Sequence, residues 1–129
     1  MRARVLIAED EPEIAMSLEF LLQNDGHETC IARDGDDTLE AWRRFEPDLI
    51  VLDVMLPKLN GLDVCAAIRA ETLRKQPKIL MVTARGSATD IARGKRAGAD
   101  AHLTKPFSTQ ELLGEARRLL DIKSSQDAV

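Results

Sequence analysis

Short, nearly continuous apolar runs alternate along the chain with longer segments whose apolar residues recur at helical spacing. The clearest runs are Val5-Leu6-Ile7-Ala8, Leu49-Ile50-Val51-Leu52 and Ile79-Leu80-Met81-Val82; weaker ones lie at His27 to Ile31 and Ala101 to Leu103. A strand that is apolar at every position is covered on both faces, as in a parallel sheet held between two helical layers. In the first intervening segment Ile14, Leu18, Leu21 and Leu22 fall at i, i+4, i+7 and i+8, one stripe of a helix whose first turn accommodates Pro12. Leu39, Trp42 and Phe45 mark a second helix beginning after Asp36 or Asp37, and a third follows Gly61 with Val64 and Ile68 on one face. The fourth, Ala88 to Ala97, is poor in large apolar residues and is expected to be the least firmly packed. In the last, Ser108 and Glu111 have capping-box spacing ahead of a stripe of Leu112, Ala116, Leu119 and Leu120. Strand and helix alternating in this way predict an α/β fold with one doubly wound, five-stranded parallel sheet. Right-handed crossovers favour the strand order 2-1-3-4-5. Residues 1–122 are expected to form this domain, and the polar residues 123–129 a frayed tail or the start of a linker.

Composition narrows the class. The 129 residues make one ordinary domain, and 44% hydrophobic with 31% charged residues is a globular balance. A net charge of −4 argues against direct nucleic-acid binding, which calls for a basic surface. No apolar stretch approaches the roughly 20 residues that span a bilayer. The opening apolar segment, Val5 to Ala8, is too short for a signal peptide. A cytoplasmic protein without membrane contact is expected. Cys30 and Cys65 match no metal spacing and are expected to be reduced, mostly buried thiols; His27 and His102 alone make no zinc site.

Ligands of an open parallel sheet bind beyond the carboxyl ends of its strands. There the chain places Glu9-Asp10-Glu11 after the first strand, Asp53 at the third, Thr83-Ala84-Arg85 at the fourth and Thr104-Lys105-Pro106 at the fifth. One aspartate after a strand is ordinarily a helix cap or a turn residue, and one lysine a solvated surface group. Acids, a hydroxyl and a lysine converging from four strand ends are not explained by capping. Clustered carboxylates need a compensating cation, and a few of them with open positions suit Mg²⁺. A carboxylate can also act as a nucleophile and form an acyl phosphate, with a metal and a lysine balancing the charge of the transferred group.

These residues resemble the receiver domain of two-component response regulators. Glu9-Asp10 is similar to that family's acidic pair. Asp53-Val54-Met55-Leu56-Pro57-Lys58-Leu59-Asn60-Gly61 resembles its phosphoacceptor loop, with Pro57 and Gly61 at the fourth and eighth positions after the aspartate. Thr83-Ala84 looks like its switch threonine and following small residue, and Gly98 to Phe107 resembles its final strand and lysine-proline turn. The likeness runs from about residue 4 to 121. It implies a flavodoxin-like (βα)5 fold and a phosphorylation-dependent signalling switch rather than a metabolic enzyme, one that catalyses its own phosphorylation and dephosphorylation. Asp53 would accept the phosphoryl group from a sensor histidine kinase or phosphotransfer protein. Glu9, Asp10, Asp53 and the backbone carbonyl of Met55 would hold Mg²⁺. Thr83 would bind the phosphoryl group and Lys105 would pair with it, with a cis bond between Lys105 and Pro106.

One departure stands out. The family usually carries Tyr or Phe three residues before the lysine, where this chain has His102. His102 is expected to fill the space of that ring; a pH-sensitive switch is the sharper alternative. Thr83-Ala84-Arg85 with Met55 is similar to receivers of winged-helix transcription factors, whereas Gly114-Glu115 departs from them. An aspartate-nucleophile hydrolase of the haloacid dehalogenase kind would need a second acid at position 55, which is Met, and an inactive scaffold would have lost some of the polar residues. The charges Arg93, Lys95 and Arg96 on the fourth helix and Glu111 and Glu115 on the fifth allow a homodimer through the fourth helix, fifth strand and fifth helix. The resemblance implies that Met55 and Arg85, two residues after the phosphoacceptor and two after the threonine, flank the path of attacking water. Neither can orient water as an acid or amide would, so slow autodephosphorylation is expected.

Overall fold

A computed structural model describes residues 2–84 and 86–127, with side chains up to Lys123. Five strands, β1 (Arg4–Ala8), β2 (Glu28–Ala32), β3 (Leu49–Asp53), β4 (Lys78–Thr83) and β5 (Ala101–Thr104), alternate with five helices. The helices are α1 (Pro12–Asn24), α2 (Gly35–Phe45), α3 (Gly61–Ala70), α4 (Ala88–Ala97) and α5 (Thr109–Asp127). All strand pairs are parallel and the sheet order is β2-β1-β3-β4-β5, as the alternation predicted.

Side chains alternate across a strand, so each apolar run feeds two cores. Val5, Ile7, Leu49, Val51, Leu80 and Val82 pack with Leu18, Leu22, Leu112, Ala116 and Leu119 on the side of α1 and α5. Leu6, Ile50, Leu52, Ile79 and Met81 pack with Trp42, Val64, Cys65 and Ile68 on the side of α2 and α3. Helix α4 contributes only Gly94 to the buried set, as its composition foretold. The capping box at α5 forms in both directions: Glu111 N–H donates to Ser108 Oγ at 3.0 Å, and Ser108 N–H to Glu111 Oε1 at 3.1 Å.

Several boundaries differ from expectation. Helix α2 begins at Gly35, because Asp34 Oδ1 accepts the Asp37 N–H at 2.7 Å and caps it earlier than Asp36 or Asp37 would. Strand β2 starts one residue late, since the His27 ring is turned to β1, its Nδ1 accepting the Ala3 N–H at 3.1 Å. Helix α5 runs past residue 122 to Asp127, and Lys123 is buried with its Nζ donating to the Gln76 carbonyl at 2.9 Å. The frayed tail expected there is therefore helical as far as Asp127, and positions 128–129 lie outside the described residues. Cys65 is buried and Cys30 half-buried, both free thiols. Among the described residues no helix is long and apolar enough to cross a membrane.

Candidate functional site

Asp53 closes the most deeply buried strand, so its carboxylate emerges at the sheet's carboxyl edge with only 4% of the residue exposed. Glu9 follows β1, the neighbour of β3, and is equally buried. Carboxylate oxygens of Glu9, Asp10 and Asp53 lie within 4.8 Å of one another. Lys105, just past β5, reaches across β4 and spans the pair: its Nζ donates to Glu9 Oε1 at 3.0 Å and to Asp53 Oδ2 at 3.2 Å. The Lys105 N–H donates to the Thr83 carbonyl at 2.8 Å, which ties the lysine turn to the end of β4. The peptide bond between Lys105 and Pro106 is cis, as the resemblance implied. Thr83 is buried beside them. Five of the six expected side chains or backbones thus meet at one edge, with Met55 on the adjoining loop, its side chain exposed. Arg85, the second residue expected to flank the site, lies outside the described residues.

The electrostatics follow from burial. Burial raises the Glu9 pKa, and the nearby Asp53 charge adds to the rise, while Lys105 and the Glu11 N–H oppose it. Burial likewise disfavours the Lys105 ammonium, but hydrogen bonds and charge from Glu9 and Asp53 prevail and hold its pKa above the ordinary value. Among the described residues the cluster sets three acids, on hard oxygen donors close together, against one lysine. Such a donor set fits a divalent cation of the Mg²⁺ kind.

Two backbone donors were invisible to side-chain reasoning. Met55 N–H donates to Asp53 Oδ1 at 3.0 Å, and Glu11 N–H to Glu9 Oε2 at 3.2 Å. Each aims a carboxylate by a turn two residues long, a geometry that residue types alone do not reveal. Among the described residues His102 Nε2 is buried without a hydrogen-bond partner, and the ring lies against Gly94 of α4.

The family model for the response regulator receiver domain matches residues 5–117. The chain is 39% identical over 120 residues to the DNA-binding response regulator MtrA of Mycolicibacterium smegmatis, covering 93% of this chain and 51% of that protein. It is 42% identical over 116 residues to the sensory transduction protein RegX3 of the same organism, covering 90% and 50%. The chemotaxis protein CheY4 of Vibrio cholerae superposes with a TM-score of 0.86 at 32% identity, covering 92% of this chain and 99% of that one. Fold and relatives agree. The chain belongs to the response-regulator receiver domains, the phosphorylation-dependent modules of two-component signalling. It spans about half the length of the curated relatives it matches.

Proposed function

We propose that Asp53 is the phosphoacceptor, that Glu9, Asp10, Asp53 and the Met55 carbonyl hold Mg²⁺, and that Thr83 and Lys105 bind the transferred group. The observation that carries this reading is the meeting of Glu9, Asp10 and Asp53 carboxylates with the Lys105 ammonium at one sheet edge. In the reaction inferred, an Asp53 oxygen attacks the phosphorus of a phosphohistidine on a sensor kinase or phosphotransfer protein. An O–P bond forms, the N–P bond breaks, and its electron pair stays on the imidazole nitrogen, which takes a proton. Met55 N–H and Lys105 hold the two Asp53 oxygens, so the nucleophile is fixed before the donor arrives. Lys105 and the Thr83 hydroxyl then face the charge brought in by the phosphoryl group. Mg²⁺, when bound, supplies further positive charge to the phosphoryl oxygens.

The same chain would also catalyse loss of the phosphoryl group. Met55 offers water only a weak thioether acceptor, which supports a slow rate. Residues 1–122 are proposed as the receiver, with its packing continued by Lys123, and 123–129 as its end or the start of a linker. The site is read as that of a cytoplasmic switch. A receiver joined to a DNA-binding effector domain is the second reading, favoured by MtrA at twice this length; the chain's own net charge of −4 supports no direct nucleic-acid contact. Incubation with a small phosphodonor and Mg²⁺ tests the proposal. Stoichiometric, acid-labile labelling is expected. Multiple turnover would instead indicate a hydrolase, and no labelling an inert scaffold.

A further inference from the structure

Gly35 stands at the first position of α2 and is absent from the residues with positive φ, so its backbone does not demand glycine. Glycine is also among the poorest residues for a helix. What excludes a side chain is the loop that follows β3. A Cβ built on Gly35 would overlap the Leu59 carbonyl oxygen and Leu59 Cβ, and would lie 2.7 Å from the Leu59 carbonyl carbon. The obstacle is mainly backbone, so no rotamer change relieves it. The contact is also hydrogen-bonded: Gly35 N–H donates to the Pro57 carbonyl at 3.1 Å, and Lys58 Nζ lies 3.4 Å from Asp34 Oδ2.

The loop so gripped is compact. The Pro57 carbonyl accepts a second bond from Leu59 N–H at 2.8 Å, around Lys58 at φ 67°, and Gly61 N–H donates to the Val54 carbonyl at 2.9 Å. The bond from Gly61 to Val54 closes the loop, at whose start Met55 N–H holds Asp53 Oδ1.

We propose that the first turn of α2, through the missing side chain of Gly35 and its bond to Pro57, positions the phosphoacceptor loop and so sets the strength of Mg²⁺ binding at Asp53. Gly35 is a positioning residue: it touches neither metal nor phosphoryl group. The inference rests on the reading of Asp53 and its neighbours as the Mg²⁺ site.

The test is Gly35→Ala in the full chain, with Mg²⁺ affinity measured by calorimetry and folding followed separately by circular dichroism and thermal unfolding. Gly114→Ala is the control, since a Cβ at Gly114 meets nothing within 4 Å. Helix propensity alone would leave both variants as stable as the parent or more so. The positioning role requires the Mg²⁺ dissociation constant of Gly35→Ala to rise about tenfold at a temperature where it is fully folded, with Gly114→Ala unchanged. A folded Gly35→Ala whose Mg²⁺ affinity stays within twofold of the parent overturns it. Should Gly35→Ala fail to fold, amide exchange on the unaltered chain decides. Binding and loop position are reciprocally linked, so Mg²⁺ should slow exchange of the Gly35 N–H severalfold, and an unchanged rate rejects the proposal. Failure of the underlying site reading is distinguishable, because the parent chain would then bind no Mg²⁺ at all.

Discussion

Lys105 meets two carboxylates at once, yet Glu9 is still pushed toward its neutral form by burial. For an acid with a raised pKa, ionisation opposes folding, and the penalty grows as pH rises above the unfolded value. Glu9→Gln is therefore expected to keep or raise the melting temperature at pH 7, by roughly 4 °C for about 1 kcal/mol, while weakening Mg²⁺ binding. A clear fall in melting temperature would contradict this. Asp10→Asn should weaken Mg²⁺ binding as well, and an unchanged titration would remove Asp10 as a ligand. His102 has the opposite sign. Burial and then the Lys95 charge lower its pKa, so the folded chain prefers the neutral ring. That preference is fully present above the unfolded value near pH 6.5 and is lost as pH falls below it. Unfolding curves at pH 7.0 and 5.5 should show a smaller loss for His102→Phe than for the parent; equal losses would mean that the ring stays neutral or leaves its seat freely.

At the scale of elements, what was legible depended on how far one element could be read by itself. Strands β3 and β4 announced themselves because nearly every position is buried, and α5 because its capping box and stripe agree. Ser108→Ala should destabilise the chain by about 1 kcal/mol, measurable by denaturant unfolding. Edges were less legible where a single hydrogen bond outside the apolar pattern decides them. The starts of β2 and α2 depend on His27 bonding Ala3 and on Asp34 capping Asp37, and α5 is prolonged while Lys123 bonds Gln76. In the site, the acids, Thr83 and Lys105 could be found from position after a strand. The Met55 and Glu11 amides and the grip of Gly35 on the loop could not, because backbone direction is set by tertiary packing. Helix α4, with only Gly94 buried, should be the first helix to exchange its amides, ahead of α3 with Val64, Cys65 and Ile68 buried. Equal protection of the two helices would show that α4 is held by more than its side chains reveal.

For the whole molecule, the acidic site and the α4, β5 and α5 face expected to pair are built on the same parallel sheet, where β4 pairs with β5. Pairing of two copies through α4, β5 and α5 would set Arg93, Lys95 and Arg96 against Glu111 and Glu115. In the single molecule Glu115 is already held by Arg118 at 2.6 Å, so pairing must compete with that bond. Sedimentation with a phosphate mimic is expected to show a dimer that is absent without it, and a monomer under both conditions would remove the pairing. All of this presupposes that Asp53 takes the phosphoryl group. The most direct test is intact-mass and peptide-mapping spectrometry of the parent chain and Asp53→Asn, each incubated with a small phosphodonor and Mg²⁺. The parent should gain one phosphoryl group, located on the peptide carrying Asp53, and folded Asp53→Asn should gain none; labelling of Asp53→Asn to the parent's extent, or an unlabelled parent, would contradict the assignment.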